Sequence, residues 1–159
     1  MHSEDYEDYF NTLTKKLHSC RICRKWFAKG FSREEIATAE EILNVEFPAA
    51  YKCYLRVLGR YSGNLFVGGI GSFKTIDSLI DTTNALRECL QDDGYTDYKK
   101  AVSVYDHQCY VFSFIVCSRG DSNPAVYDYK EHHLESVKIA KSNYTDWIDD
   151  YLRYDNRCW

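Results

Sequence analysis

The sequence predicts an α+β domain in which N-terminal helices pack on a twisted, mainly antiparallel sheet of about four to six strands, with a C-terminal helix. Apolar residues recur at helical spacing in the first half of the chain, and again at its end. Between these regions, short runs rich in β-branched and aromatic residues are separated by turn residues. With 159 residues, 45% of them hydrophobic, the chain is expected to form a single domain, 1–159.

The first segment, 1–31, is predicted to be an additional amphipathic, basic helix that ends near Gly30. Residues 9–33 contain seven Lys or Arg and no acidic residue, whereas residues 1–8 contain four acidic residues. The apolar positions share one helical face. They are Phe10, Leu13, Leu17, Cys20, Cys23 and Phe27.

Cys20 and Cys23 also form a C-x-x-C pattern, which occurs in metal and redox sites. A zinc site would need two further ligands, and a redox pair should begin a helix that follows a strand. These two residues lie instead on the apolar face of a predicted helix. An odd total of seven Cys also argues against a complete disulfide framework. We expect buried thiols here, with a metal or redox role as the alternative.

Capping signals mark the next two helices. Ser32 and Glu35 fit a capping box that begins a second helix, and Pro48 fits the first position of a third. The predicted core positions of the second helix are Ile36, Ala39, Leu43 and Val45. Those of the third helix, which should end at Gly59, are Tyr51, Tyr54, Leu55 and Leu58.

Beyond the third helix the hydrophobic period changes. The run NLFVGGIG, 64–71, is predicted as a short strand, and Thr75 begins a helix that carries apolar residues as far as Leu90. Ser142 or Asn143 caps the last helix. The strands between these helices are expected, after a polar loop at 91–100, at 101–105, 109–117, 125–130 and 134–140.

Glu40 is the first candidate for a special role, because it lies on the same helical face as the apolar residues of the second helix. Pro48 begins the next helix, and residues 47–50 include no capping Ser, Thr, Asp or Asn. A carboxylate from the preceding helix would accept the unpaired N–H groups at that bend. The sequence therefore predicts a structural clamp made of Glu40, Pro48 and Tyr51, and not a catalytic acid.

The densest acidic and aromatic segment is the second candidate. We expect this segment to be a contact surface for a basic partner, with tyrosines as anchors. A solvated connector is the alternative interpretation, since polar loops are common. The residues are Asp92, Asp93, Tyr95, Asp97 and Tyr98.

Charge and composition narrow the kinds of partner. The formal net charge is −4, and the chain beyond residue 33 contains 13 Lys or Arg against 20 Asp or Glu. This acidic body disfavours nucleic acid and favours a basic protein partner. No apolar run is long enough to span a membrane, and the acidic N-terminus is unlike a signal peptide, so a cytoplasmic protein is expected. No paired carboxylates, catalytic triad or metal set emerges, so neither an enzyme nor a cofactor is expected.

One stretch carries a more specific pattern, SREEIATAEEILNVEFPAAYKCYLRVLG. It resembles the opening signature of the SUKH superfamily, which includes the Smi/Knr regulators of glucan synthesis. Thr83 and Arg87 also resemble a helix of one bacterial branch, and the likeness spans about 32–152. The signature positions are Ile36, Ala39, Glu40, Leu43, Phe47, Pro48, Tyr51 and Leu55.

This resemblance implies an α+β domain without catalytic machinery. Many bacterial members are similar to immunity proteins that bind and block a toxin, often a nuclease or deaminase, whereas fungal members act as signalling scaffolds. We therefore expect a non-enzymatic immunity protein, a monomer or weak homodimer, that neutralises a cognate toxin. The alternative is an intracellular scaffold of the Smi/Knr type, with Lys15, Lys16, Arg21, Arg24 and Lys25 as a docking face.

Overall fold

The computed structural model describes residues 3–20, 29–66, 68–133 and 136–154. Within these residues the helices are α1 (Ser3–Ser19), α2 (Arg33–Leu43), α3 (Ala49–Leu58), α4 (Ile76–Asp92) and α5 (Tyr144–Tyr154), with a 3-10 turn at Thr96–Tyr98. The strands are β1 (Ala101–His107), β2 (Val111–Val116), β3 (Val126–Lys130) and β4 (Val137–Lys141). They form one antiparallel sheet in the order β1-β2-β3-β4, followed by α5. The predicted fold class is confirmed.

The first helix ends at Ser19, so its predicted end near Gly30 is wrong, and within Ser3–Ser19 it contains four acidic residues and two lysines, so the expected basic character is wrong as well. It includes the acidic residues at the start of the chain, and its last turn contains Lys16 and His18. This arrangement complements the helix macrodipole, which favours negative charge at the N-terminus and positive charge at the C-terminus. Phe10, Leu13 and Leu17 are buried, as the predicted apolar face requires.

The predicted capping residues of α2, α4 and α5 are present. The Ser32 hydroxyl accepts the Glu35 N–H at 3.2 Å, and the Ser32 N–H donates to the Glu35 carboxylate at 2.9 Å. Thr75 accepts the N–H of Ser78, and Asn143 accepts the N–H of Asp146. Pro48 stands at the N-cap position, so α3 begins one residue later than expected.

Three predicted boundaries were wrong for local reasons. Helix α2 ends before Val45, because Asn44 adopts a left-handed conformation with φ of 52°. Strand β2 begins at Val111, because Gln108 and Cys109 also have positive φ values and form the hairpin turn. The Asp106 carboxylate holds that turn by accepting the Cys109 N–H at 2.8 Å. The polar loop is shorter, since α4 extends to Asp92 and part of the loop is the 3-10 turn.

The run NLFVGGIG is not a strand in its described residues. It consists of turns and bends, in which Gly69 and Gly71 lie against the rings of Tyr105 and Phe66. The regular backbone pairing described in this run is made by Ile70, which exchanges hydrogen bonds of 2.7 and 2.9 Å with Asp106 of β1. The glycines therefore permit close approach to aromatic rings, and they do not continue a ladder.

The sheet separates two apolar clusters. The larger cluster joins the face that contains Val102 and Val126 to α1, α2, α3, α5 and, through Leu79 and Ile80, the first half of α4. The smaller cluster joins the opposite face, which contains Phe112 and Phe114, to the second half of α4 through Leu86. Helix α4 also packs against α2 and β1. The sheet is thus covered by helices on both faces, and α4 presents its remaining side to solvent.

The outer edge of β1 is closed by side chains from two helices. Arg87 Nε of α4 donates to the carbonyl of Ala101 at 2.9 Å. The Ser103 N–H donates to the Thr83 hydroxyl at 3.3 Å, and the Tyr51 hydroxyl of α3 donates to the Ser103 carbonyl at 3.1 Å. Open sheet edges can pair with other chains, so these contacts protect the edge.

Candidate functional site

The acidic and aromatic segment does not present all five predicted residues to solvent. Asp93 stands at the C-terminal cap of α4, and its side chain is 16% exposed. It accepts hydrogen bonds from the Tyr129 hydroxyl at 2.8 Å and the His132 N–H at 3.0 Å. The hydrogen bond from the His132 backbone, followed by that from Tyr129, holds the pKa of Asp93 below its usual value. Asp93 therefore ties the end of α4 to the end of β3.

Tyr95 and Tyr98 are also used inside the fold. The Tyr98 ring lies edge-on to Phe114 at 5.3 Å and to Tyr127 at 5.8 Å. The Tyr95 ring lies 6.3 Å from that of Tyr129. Both tyrosines pack against the smaller apolar cluster, and both remain half-buried. They cover the sheet below the end of α4, which limits the area that they offer to a partner.

Asp92 and Asp97 are exposed, and they continue a feature that the sequence analysis missed. The outward side of α4 carries Asp77, Asp81 and Glu88, all exposed. These residues and Asp92 are spaced by four, seven and four positions, so they lie along one side of the helix. We call Asp77, Asp81, Glu88, Asp92 and Asp97 the acidic face. The helical spacing of these acidic residues is visible in the sequence, so the acidic face could have been predicted.

Asp77 lies in the first turn of α4, where negative charge suits the macrodipole, but the later members of the acidic face do not stabilise the helix. Glu88 and Asp92 lie near the C-terminus, where negative charge opposes the macrodipole, and the last turn contains no basic residue. Carboxylates four residues apart also repel each other. Among the described residues, none of the five carboxylates takes part in an ion pair. Arg87, the basic residue of α4, donates inward to the carbonyls of Ala101 and Leu43. The charge of this face is therefore available to a partner.

We expect the Asp93 contacts to make stability depend on pH. The pKa of Asp93 is lower in the folded protein than in the unfolded chain, where it is about 3.9. The ionised Asp93 therefore stabilises the fold at pH values above about 3.9, and this stabilisation is lost as the pH falls through the pKa of the folded state. Asp93→Asn should lower the free energy of unfolding at neutral pH, and the difference in this free energy between the variant and wild type should become smaller at acidic pH. Urea unfolding across a pH series measures this. Asp92→Asn, an exposed neighbour, is the control, and equal behaviour of the two variants would contradict the role of Asp93.

Glu40 lies at the bend between α2 and α3, half-buried. Its Oε1 atom accepts the N–H of Phe47 at 2.6 Å and lies 2.9 Å from the ammonium of Lys52. The N–H that it accepts precedes Pro48, whereas the sequence argument proposed the donors that follow Pro48. Of those donors, the Ala50 N–H bonds to the carbonyl of Ser122 at 2.9 Å. These contacts connect α2 with the start of α3, and the clamp remains a prediction for mutagenesis.

Pro48 and Tyr51, the other two residues assigned to the clamp, are buried. Pro48 contributes its extended backbone conformation at the start of α3. Tyr51 lies in the core, where its ring packs edge-on against those of Phe47 and Tyr144. Its hydroxyl closes the edge of β1, which the sequence did not reveal.

The oxidation state of the cysteines differs in part from the expected free thiols. Cys20 packs against the larger apolar cluster, but it is disulfide-bonded, so the expectation of a thiol is wrong for this residue. An odd number of cysteines excludes a complete set of bridges and still permits one. Cys23 lies outside the described residues, as do Arg21, Arg24 and Lys25. The free cysteines of the described residues are Cys53, Cys89, Cys109 and Cys117.

Metal-binding groups and membrane-spanning helices were both absent from the described residues. No group of three or more His, Cys, Asp or Glu in them is arranged to hold a metal ion. No helix in them combines the length and apolar character needed to cross a membrane.

Comparison with known proteins defines the class. Residues 30–150 match the SMI1 / KNR4 family (SUKH-1), and the chain belongs to this family. The match begins at the segment before α2 and includes α2, α3, α4 and all four strands. The comparison with curated proteins found no match. The resemblance carried by the Glu40 and Pro48 region is thereby confirmed.

Proposed function

We propose that the protein is a non-enzymatic immunity protein that binds and neutralises a cognate toxin in the cytoplasm. The observation that carries this proposal is the acidic face, a set of exposed carboxylates that form no ion pair with any other described residue, in a member of the SUKH-1 family. Glu88 and Asp92 oppose the macrodipole of α4, so binding gives a better account of these two charges than stability does.

The chemistry of the face favours a basic partner. Toxin domains that act on nucleic acid present positive surfaces to it, and a face of like-signed carboxylates would attract such a surface. Charge complementarity of this kind raises association rates and makes them sensitive to salt. An inhibitor that covers the nucleic-acid site would block the toxin without any chemistry of its own.

The residues singled out from the sequence divide into two roles in this proposal. Asp92 and Asp97 belong to the contact surface itself. Asp93, Tyr95 and Tyr98 support it, because their bonds and ring contacts fix the end of α4 on the sheet. A rigid surface loses less conformational entropy on binding than a mobile loop would.

The test is co-expression with toxin domains encoded beside the gene in a bacterial host. Asp81→Lys combined with Glu88→Lys should abolish protection and weaken binding of the purified toxin by roughly tenfold or more at low salt. Asp8→Lys combined with Glu46→Lys changes the net charge equally at exposed sites on α1 and the α2–α3 connection, and it should protect as wild type does. Equal protection by both variants would contradict the assignment of the face. Failure of wild type to protect against any neighbouring toxin would contradict the immunity role.

A scaffold of the Smi/Knr type is the second candidate, and the family itself supports it. In that case the acidic face would dock a basic protein of the same cell. Purified wild type and the Asp81→Lys, Glu88→Lys variant, used as baits against lysate of the source cell, distinguish the roles. A cellular protein retained by wild type and lost with the variant, together with no toxin protection, would favour the scaffold.

A further inference from the structure

One row of paired residues crosses all four strands of the sheet and carries polar groups. Tyr105 of β1 pairs with Ser113 of β2, which pairs with Asp128 of β3, which pairs with Lys138 of β4. Residues that lie directly opposite each other in an antiparallel pair point to the same face of a sheet. For this row it is the face that also carries the larger apolar cluster, because Tyr105 packs against that cluster. The apolar core of this face therefore ends at the row.

The four residues of the row line a groove on the surface of the protein. The groove has a volume of about 470 Å³, and Tyr151 of α5 lines it as well. The ring centroids of Tyr105 and Tyr151 lie 5.8 Å apart, so the two rings form one aromatic wall. Asp128 and both tyrosines are half-buried. Concave surfaces with aromatic walls and a few polar groups are typical of small-molecule sites.

The hydrogen-bonding groups beside the aromatic wall are used little by the fold. Asp128 accepts one hydrogen bond, from the Ser113 hydroxyl to its Oδ1 atom at 2.7 Å. The hydroxyls of Tyr105 and Tyr151 form no hydrogen bond with any other residue that the structure describes. Burial, followed by the charges of neighbouring groups that include Asp128, raises the pKa of both tyrosines, so the three groups lie close together. One carboxylate and two phenol oxygens are therefore available to a ligand.

Lys130 and Lys138 give the rim of the groove a positive charge. Both lysines line the groove, and both are exposed. Although Lys138 pairs with Asp128 across the strands, neither lysine forms an ion pair within the described part of the chain, and Asp128 forms none there either. A ligand with a cation alone would be repelled by the lysines, and a ligand with an anion alone would be repelled by Asp128. The groove therefore favours a ligand that carries both charges.

We propose that this groove binds a free α-amino acid. The ammonium group of the ligand donates to the carboxylate of Asp128 and to the hydroxyl oxygens of Tyr105 and Tyr151, which supply an acceptor for each of its three N–H groups. Its carboxylate pairs with the ammonium groups of Lys130 and Lys138 at the rim. The aromatic wall favours an apolar or aromatic side chain on the ligand. This inference does not rest on the proposed function, because no residue of the groove belongs to the acidic face.

NMR titration of the isotope-labelled protein with L-phenylalanine, and with pools of the other common L-amino acids at millimolar concentration, tests the proposal. Backbone signals of β3 and β4 should shift in a saturable manner with at least one of these compounds. Each amino acid that binds is then compared with the amine that lacks its carboxylate and the acid that lacks its ammonium group. For phenylalanine these are phenethylamine and phenylpropionate. Both should bind roughly tenfold more weakly or worse, because each loses a charged partner. No saturable shift with any amino acid, or equal binding of the amine, would overturn the proposal.

Two conservative variants test the assigned residues. Asp128→Asn keeps an acceptor for the Ser113 hydroxyl and removes the charge, so it should fold and bind the amino acid roughly tenfold more weakly or worse. Asp97→Asn makes the same change on the acidic face and should bind as wild type does. Tyr151→Phe keeps the aromatic wall and should also weaken binding, whereas Tyr127→Phe, which loses a hydroxyl on the other face of the sheet, should not. Equal binding by Asp128→Asn and Asp97→Asn, or by the two phenylalanine variants, would overturn the assignment.

Discussion

Replacement of Gly30 by alanine is expected to lower the free energy of unfolding by about 4 kcal/mol or more, or to prevent folding. A Cβ atom at Gly30 would lie 1.7 Å from the carbonyl oxygen of Arg56 and 2.0 Å from its carbonyl carbon. Both are backbone atoms of α3, and the neighbouring Phe31 N–H bonds to the Leu55 carbonyl at 2.8 Å. The strand-like segment before α2 cannot move away without breaking that contact. Chemical denaturation of the purified variant measures the loss.

Gly68→Ala is the control for this prediction. A Cβ atom at Gly68 would have open space, although its φ of +86° favours glycine. That variant should lose about 1 to 2 kcal/mol, the usual cost of a left-handed conformation for other residues. If Gly30→Ala were as stable as Gly68→Ala, the close crossing of residues 29–31 over the end of α3 would be wrong.

Arg87→Met is expected to lower the free energy of unfolding by about 2 to 3 kcal/mol, because the carbonyls of Ala101 and Leu43 lose a charged donor. Part of this loss is offset. Burial lowers the pKa of Arg87, and its Nη2 atom is buried without a hydrogen-bond partner among the described residues. Removing the charge therefore also removes an unfavourable desolvation.

The same change should open the β1 edge. We expect Arg87→Met to aggregate on mild heating at temperatures where wild type remains clear, since an open edge pairs with other chains. Light scattering and urea unfolding measure the two effects. Asn84→Met introduces the same side chain on the exposed side of α4 and should change neither. A stable Arg87→Met protein that does not aggregate would show that the Arg87 guanidinium is not needed to protect the β1 edge.

The helices and strands could be read from the sequence where local chemistry dictates them. Ser32, Thr75 and Asn143 cap helices because their side chains accept N–H groups a few residues away, and this depends on sequence neighbours alone. The meander was predictable for a similar reason, since its strands are separated by turn residues. The prediction of a strand at NLFVGGIG was wrong, because its glycines allow close contacts with aromatic rings, and such contacts are not visible in the sequence.

The candidate site was predictable only in part, because exposure depends on tertiary packing. Asp93, Tyr95 and Tyr98 look like surface residues in the sequence, yet β3 supplies the partners that bind them. Asp77 and Asp81 could have been placed on one side of a helix by spacing, but their freedom from ion pairs needed the arrangement of the other elements. The closure of the β1 edge by Thr83 and Arg87 was likewise hidden, since it joins α4 to a strand that comes later in the chain.

The inward and outward sides of α4 have different roles, and this difference has a consequence for how the sequence can evolve. Thr83 and Arg87 donate to or accept from the sheet, whereas the side chains of Asp77, Asp81 and Glu88 are exposed and form no ion pair within the described part of the chain. The outward positions can therefore change one at a time as a partner changes, and each change leaves the domain folded. If the partner changes, substitutions are expected at the outward positions while the inward residues stay fixed, so sequence variability along α4 should rise and fall with each helical turn.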